Sequence, residues 1–296
     1  MSVQIEEFLH LVEKRLEQLV PERKGPHALL FQAARFSLLS RAKRLRPLIV
    51  LSILSDCQQP LSLGIDPACA LEMVHTYSLI HDDLPSMDDS SLRRGRPTLH
   101  KVYGEGIAIL TGDFLLTQAF SVLVQSPELS SAMKNELVLL LSQHAGGEGM
   151  VGGQVADLLS TNQAIDMERL CFIHQKKTAA LFAASFEFGA RLGNLPLSQR
   201  EQLRVGGMTF GLAFQLLDDL LDGEGPFPSM DHSFVGEDAK NDKMTARTLY
   251  TARVALDTLD HLFTQTYRCT HGLTLLTRLV EDYAKAIPQR PHDLSQ

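Results

Sequence analysis

The sequence lacks several features that would each point to a particular class of protein. It has no tryptophan and only four cysteines, which are widely spaced and include no Cys-x-x-Cys pair. A chain of 296 residues does not need disulfides, and this spacing does not fit zinc, so buried free thiols are predicted. No Gly-x-x-x-x-Gly-Lys-Ser/Thr loop and no nucleophile elbow is present, which argues against nucleotide phosphoryl transfer and against a protein nucleophile.

Charge and hydropathy argue against two further classes of partner. The formal net charge of −7 disfavours nucleic acid, which is bound by neutralising phosphates over a broad face. Glu6, Glu7 and Glu13 interrupt the N-terminal apolar positions, so no signal peptide is predicted. No stretch reads as the run of about twenty apolar residues that spans a bilayer. The sequence therefore predicts a cytoplasmic protein without a transmembrane segment.

Strand patterns are also missing, whereas helical periodicity is found almost throughout. Ile5, Phe8, Val12 and Leu16 begin a series at the spacing of an amphipathic helix. With no linker and no βαβ rhythm, the sequence predicts an all-α fold in a single domain over residues 1–296. The predicted helices cover 27–40, 44–56, 67–83, 106–125, 128–145, 149–160, 166–191, 197–222, 244–265 and 271–287.

Two aspartate clusters each end an apolar helical run. The first acidic motif is Asp82-Asp83-x4-Asp88-Asp89, and the second is Asp218-Asp219-x2-Asp222. Carboxylates are rarely buried without cations or metals, and oxygen-only clusters suit Mg²⁺. One such motif alone fits a solvated helix end, but two in one chain favour a shared metal site. Each lies beside a Gly/Pro-rich loop, 84–105 or 223–237, as expected for a cavity mouth with lids.

Basic residues are clustered in two short stretches. Lys43, Arg44 and Arg46 lie at a predicted helix start, and the run 93–96 reads Arg-Arg-Gly-Arg. A guanidinium group can donate two parallel hydrogen bonds to a phosphate group, and the N-terminus of a helix favours bound anions. Each run alone fits a solvated surface. Together with the aspartates, they indicate metal-assisted departure of a diphosphate.

The motifs resemble those of the trans-polyprenyl diphosphate synthases, and most closely the bacterial farnesyl diphosphate synthases. The strongest segment is Leu-Ile-His-Asp-Asp-Leu-Pro-Ser-Met-Asp-Asp-Ser-Ser-Leu-Arg-Arg-Gly-Arg-Pro-Thr at 79–98. Further matching segments are 43–47, 72–78, 112–117, 152–157, 176–178 and 214–222. The resemblance spans roughly residues 30–250 with the motifs in the family's order.

This resemblance implies an isoprenoid synthase fold, a single-domain bundle of about ten to thirteen helices around a deep central apolar cavity, usually homodimeric. It implies Mg²⁺ as cofactor, three ions with substrate bound, with Mn²⁺ as an alternative. The metal ligands would be Asp82, Asp83, Asp88, Asp218, Asp219 and Asp222. Substrate diphosphates would be held by Lys43, Arg46, His75, Arg93, Arg94 and Lys243. The catalytic group would be Lys177, Thr178 and Gln215.

The implied reaction joins isopentenyl diphosphate head-to-tail to dimethylallyl and geranyl diphosphates, giving farnesyl diphosphate. Tyr77 lies five residues before Asp82, roughly 7.5 Å deeper along a helix. A bulky ring there, followed by Ser78, would limit the growing chain. Tyr77 could instead be ordinary core packing, and His75 a core histidine.

The sequence departs from the family pattern in two places. Arg41-Ala42 stands where Gly-Gly is usual, and after the second motif Lys243 matches whereas another expected lysine is missing, for which Lys240 is a guess. Four alternatives stay open. They are a geranylgeranyl diphosphate synthase, a noncatalytic partner subunit, a class I terpene cyclase, and a His-Asp phosphohydrolase using His75 and His81-Asp82.

Overall fold

The computed structural model describes residues 3–221 and 249–285, and these residues are helical almost throughout. The predicted all-α class is confirmed. The helices are α1 (Val3–Leu19), α2 (Ala28–Leu38), α3 (Leu45–Asp56), α4 (Ser62–Asp82), α5 (Leu99–Tyr103), α6 (Glu105–Gln125), α7 (Ser131–Ala145), α8 (Met150–Leu158), α9 (Met167–Ile173), a π-helix (His174–Ala179), α10 (Ala180–Leu192), α11 (Leu197–Leu221), α12 (Ala252–Thr270) and α13 (Thr274–Ala284).

Helix α4, which carries the first acidic motif, begins earlier than predicted. The sequence places its start at Pro67, because proline is favoured in the first helical turn. The helix instead begins at Ser62 and holds Pro67 in its interior. Residues 66–74 are all buried, so packing along this stretch outweighs the one backbone hydrogen bond that Pro67 cannot donate.

A short hairpin lies in the loop that follows the first acidic motif. Strands β1 (Leu92–Arg93) and β2 (Arg96–Pro97) pair antiparallel, with Arg93 opposite Arg96. Arg94 and Gly95 form the turn, both at positive φ of 53° and 70°. Two-residue hairpins need such left-handed residues, usually Asn-Gly. The hairpin was not predicted, because arginine rarely adopts this conformation.

The chain divides into two compact units. The first unit comprises Met1–Ser142 and Phe188–Pro196, and the second comprises Gln143–Glu187 and Leu197–Gln296. In the first unit α4 packs chiefly against α6 and α3, and in the second α11 packs against α12 and the π-helix. The cores are built from fully buried side chains such as Leu51 and Ile53 in the first unit, and Phe182, Phe186 and Phe210 in the second. The predicted single domain stays a prediction.

Helix α6 is long and apolar enough, by length and composition, to cross a membrane, contrary to the expectation from the sequence. It is the one such helix in the part of the chain that the structure describes. Of its apolar 18-residue stretch, 39% is buried against the rest of the chain. A single helix of this kind does not establish a membrane span, because a core helix can have the same length and composition. The four cysteines are free as predicted, but only Cys69 is fully buried.

Candidate active site

The first acidic motif lies where α4 ends and the chain turns back on itself. Asp82 is the last residue of the helix, and Asp83 caps it. The backbone nitrogen of Asp88 donates to the carbonyl oxygen of Asp82 over 2.9 Å, and that of Asp89 donates to Leu84 over 3.0 Å. Asp82 and Asp88 are half-buried. This turn brings the second aspartate pair back beside the first.

An arginine of the hairpin holds the buried carboxylate of this motif. Asp83 is only 4% exposed. The Nε and Nη2 atoms of Arg93 both lie 2.7 Å from its Oδ1. Charge-assisted bonds of this length are strong. The hairpin therefore places Arg93, a predicted diphosphate ligand, directly against the predicted metal motif.

A cavity of about 80 Å³ beside Asp83 is strongly cationic. Its charged lining residues are Arg41, Arg93, Arg94, Arg96 and Asp83. Burial lowers the pKa of Arg94, an effect that Glu72 opposes and the neighbouring Arg44 and Arg93 reinforce. Four guanidinium groups facing one carboxylate create a local positive potential suited to an anion. Arg41 stands at a position where the resemblance predicted glycine.

Arg44 is not part of this anion site, which corrects its grouping with Lys43 and Arg46. Arg44 is 2% exposed, and its guanidinium lies 2.7 Å from Glu13 and 2.8 Å from Glu72. Burial alone would lower its pKa, but the two glutamates raise it above the ordinary value. Arg44 therefore anchors the start of α3 to α1 and α4.

The neighbours of Arg44 are placed differently. Lys43 is exposed, whereas Arg46 is 7% exposed in the first turn of α3. Burial lowers the pKa of Arg46 to about 10, with attraction by Glu72 opposing this and repulsion by Arg94 adding to it. Arg46 and Arg94, both predicted to hold isopentenyl diphosphate, are thus electrostatic neighbours.

His75 belongs to the same cationic neighbourhood. Its pKa lies well below the ordinary histidine value, first because of burial and then because of Arg46, Arg94 and Arg93. His75 is therefore neutral at neutral pH. It can offer a diphosphate a ring N–H but not a positive charge.

In the second unit, the buried aspartate of the second motif accepts a hydrogen bond from a neutral amide. Thr178 Oγ1 donates to Gln215 Oε1 over 2.7 Å, and Gln215 Nε2 donates to Asp219 Oδ1 over 2.8 Å. His174 Nε2 lies 3.4 Å from Asp219 Oδ2. The structure thus joins three residues predicted for the site in one hydrogen-bonded chain. His174 was not predicted.

Lys177 is positioned by a residue that the sequence-based prediction also missed. Its Nζ lies 2.7 Å from Asp157 Oδ2, and both side chains are largely buried. A Cβ added to Gly153 would collide with the backbone of Lys177. Gly153 is therefore a point of close packing between α8 and the π-helix. Asp157 lies one helical turn after Gly153, and this spacing is the sequence signal that could have identified it.

The remaining predicted residues are described only in part. Asp218 is exposed. It lies near Tyr283, whose pKa is raised by burial and by this carboxylate.

Tyr77 is 6% exposed, and burial together with Asp82 raises its pKa to about 12. Ser78 donates to the carbonyl oxygen of His75 over 2.9 Å. Asp222, Lys240 and Lys243 lie outside the described residues.

The donor set of both motifs fits a hard divalent ion. Within the described ranges, no three His, Cys, Asp or Glu side chains form a ready metal cage. Mg²⁺ does not need one, because it commonly binds one or two carboxylates and completes its shell with substrate phosphates and water. Asp82, Asp88 and Asp218 supply carboxylate oxygens of this kind. The prediction that both motifs serve one metal site stays a prediction.

Comparison with known proteins identifies the family. Residues 27–273 match the polyprenyl synthetase family. The chain is 44% identical to a farnesyl diphosphate synthase of Bacillus subtilis over 87% of each chain. It is 39% identical to geranylgeranyl pyrophosphate synthase 7 of Arabidopsis thaliana over 82% of this chain and 71% of that one. An FPP/GFPP synthase structure from Zymomonas mobilis superposes with a TM-score of 0.83 at 29% identity, over 96% of this chain and 97% of that one. The chain belongs to the polyprenyl synthetase family.

Proposed function

We propose that the protein is a prenyltransferase that condenses isopentenyl diphosphate with dimethylallyl and then geranyl diphosphate to make farnesyl diphosphate. The observation that carries this proposal is the arginine-lined cavity at Asp83, where α4 presents carboxylates next to Arg93 and Arg94. This combination suits a diphosphate bound with divalent ions. The farnesyl diphosphate synthase of Bacillus subtilis, 44% identical, supports the same activity.

In this proposal the cationic residues and His75 are divided between the two substrates and the departing diphosphate. Arg93, held by Asp83, binds the allylic diphosphate, and Lys43, Arg46, His75 and Arg94 bind isopentenyl diphosphate. In the second unit, Lys177 binds the departing diphosphate. Its ion pair with Asp157 holds the ammonium group in place while the site fills. Thr178 and Gln215 are hydrogen-bonded to each other, so the dipoles of the hydroxyl and the amide carbonyl are fixed before the allylic cation forms.

The reaction needs no protein nucleophile. The C1–oxygen bond of the allylic diphosphate breaks, and the alkene of isopentenyl diphosphate attacks C1 to form a carbon–carbon bond. The resulting tertiary cation loses a proton to the released diphosphate, which restores an alkene. Divalent ions held by Asp82, Asp88, Asp218 and, as the resemblance implies, Asp222 would neutralise charge on the diphosphate. Asp83 and Asp219 assist by fixing Arg93 and Gln215.

Three further elements complete the proposal. The ions are Mg²⁺, three with substrate bound, and Mn²⁺ can replace them. The two units act as a single domain, since the family match covers residues of both. The protein is cytoplasmic and forms a homodimer. The dimer is supported by α6, an apolar helix that leaves Ile109, Leu110 and Val124 exposed, because exposed large apolar side chains are typical of a protein interface.

Geranylgeranyl diphosphate is the second candidate product, because a geranylgeranyl synthase is 39% identical to this chain. Farnesyl diphosphate is favoured because the buried Tyr77 ring stands one turn before the first motif on α4. A large ring there leaves less room for a fourth isoprene unit than a small side chain would.

The test incubates purified protein with isopentenyl diphosphate, Mg²⁺ and either dimethylallyl or geranyl diphosphate, then sizes the dephosphorylated alcohols. Farnesol as the main alcohol, lost on adding a chelator, supports the proposal. Geranylgeraniol as the main alcohol would establish the second candidate. Phosphate release without any elongated alcohol would indicate a phosphohydrolase, and a cyclic hydrocarbon would indicate a terpene cyclase. No turnover by the protein alone would indicate a noncatalytic subunit.

A further inference from the structure

Tyr77 does not stand alone in α4, because His81 packs against it one helical turn later. The two rings meet edge to face, with their centroids 5.8 Å apart and their planes at 78°. Residues four apart share one face of a helix. Aromatic rings at this separation and angle attract each other beyond simple apolar burial. The orientation of the Tyr77 ring therefore depends on where the His81 ring is held.

His81 is held on its other side by the backbone of α6. Its Nε2 lies 3.1 Å from the carbonyl oxygen of Ile109. Because a carbonyl oxygen only accepts, Nε2 carries the proton and donates to it. Asp113 Oδ1 lies 4.0 Å from the same nitrogen. These contacts fix the plane of the imidazole between α4 and α6.

Gly112 provides the space that the imidazole occupies. A Cβ added to Gly112 would overlap three atoms of the His81 ring, namely Nε2, Cδ2 and Cε1. The main chain of α6 therefore approaches the ring as closely as an unsubstituted backbone allows. With α6 on one side and Tyr77 on the other, the His81 ring has little freedom to change rotamer.

We propose that His81 is a positioning residue that sets product length by holding the Tyr77 ring across the path of the growing prenyl chain. The inference rests on the proposed function, in which Tyr77 limits that chain. Without the imidazole, the space next to Gly112 is open, and the phenol can turn into it. The cavity then gains depth although Tyr77 is still present. His81 touches no reacting atom and acts through Tyr77.

The experiment measures the ratio of geranylgeraniol to farnesol formed from isopentenyl and geranyl diphosphates. Wild type is compared with Tyr77→Ala, His81→Ala and the double variant. We expect His81→Ala to raise the ratio several-fold, and Tyr77→Ala to raise it further. The double variant should match Tyr77→Ala, because His81 has no effect once the ring it holds is gone. His10→Ala, at an exposed histidine of α1, is the matched control and should leave the ratio unchanged.

Two further variants keep the test decisive if His81→Ala folds poorly. His81→Phe retains a ring against Tyr77 and should give a ratio near that of wild type. Gly112→Ala adds the colliding Cβ, displaces the imidazole and should raise the ratio as His81→Ala does. Circular dichroism melts identify the folded variants.

The possible failures are distinguishable. An unchanged ratio in His81→Ala or Gly112→Ala, with Tyr77→Ala lengthening the products, overturns the role of His81. A double variant that exceeds Tyr77→Ala also overturns this role, since the two residues then act independently. An unchanged ratio in Tyr77→Ala itself removes the premise about chain length. A wild-type protein that forms no elongated alcohol removes the proposed function.

Discussion

The two acidic motifs share one feature and differ in another. In the first Asp-Asp pair of each motif the second carboxylate is buried, Asp83 and Asp219 both being 4% exposed, whereas Asp82 is half-buried and Asp218 exposed. The partners of the buried members differ. Asp83 is held by the charged Arg93 of the hairpin, and Asp219 by the neutral amide of Gln215 and by His174. Similar sequence patterns have thus been stabilised in two ways.

Helix geometry explains the shared feature, and packing explains the difference. Consecutive side chains on a helix point about 100° apart, so one aspartate of a pair can face inward while the other faces the solvent. Gln215 reaches Asp219 from one turn earlier in the same helix, which needs no other element. Arg93 reaches Asp83 only because the hairpin folds back toward the end of α4. The division of roles between exposed and buried carboxylates can be tested in both motifs.

The largest expected effect is on turnover. Asp82→Asn and Asp218→Asn should each lower kcat by about 10²–10³-fold, since each removes a carboxylate that we propose to bind the metal ions of the diphosphate. Asp219→Asn should lower kcat less, because asparagine still offers Gln215 an oxygen acceptor. Steady-state rates at saturating substrate and a range of Mg²⁺ concentrations measure this. Equal losses for Asp218→Asn and Asp219→Asn would contradict the assignment.

The next effect separates the two buried carboxylates by stability. Asp83→Asn should lower the free energy of unfolding by about 2 kcal/mol, because Arg93 loses its charged partner in a cavity lined by four arginines. Asp219→Asn should cost about 0.5 kcal/mol, because the hydrogen bond from Gln215 comes from a neutral amide that asparagine can also accept. Urea unfolding of the two variants gives both values. A larger loss for Asp219→Asn would show that the charged partner is not what distinguishes the motifs.

The third effect, small at neutral pH, is a dependence of stability on pH that comes from the cationic cluster of the first unit. Because the pKa of His75 is lowered in the folded protein, His75 binds a proton near pH 6.5 in the unfolded chain but stays neutral in the folded chain. Stability therefore falls as the pH drops below about 6.5, by at most about 1.4 kcal/mol per pH unit. His75→Gln should flatten this slope. Urea midpoints of wild type and variant between pH 7 and pH 5 measure the difference, and identical slopes would exclude this role for His75.

Much of the fold was predictable because helical periodicity is a local property. The spacing of apolar residues located α6 to within one residue at each end and located the start of α11, and the first aspartate cluster located the end of α4. The resemblance predicted the family that the comparisons confirm. The hairpin turn at Arg94 was missed, because arginine is an unusual residue at positive φ. The start of α4 was missed because burial around Pro67 overrides a local preference.

Within the candidate site, the missed residues are those whose role is defined by a partner far along the chain. Nothing near Arg44 in sequence distinguishes it from Lys43 and Arg46, yet Glu13 and Glu72 hold it in the interior. The same holds for Asp157, which is defined by Lys177, and for His174, which is defined by Asp219.

The sequence by itself determined the helices, the positions of the carboxylates and cations along them, and the family. Those follow from periodicity and residue chemistry, which act over a few residues at a time. Only the tertiary structure decided which charged groups neutralise each other and which side chains hold one another in place, such as Arg93 on Asp83 and His81 against Tyr77. An ion pair or a ring contact depends on distances of a few ångströms in space, and packing alone sets those distances.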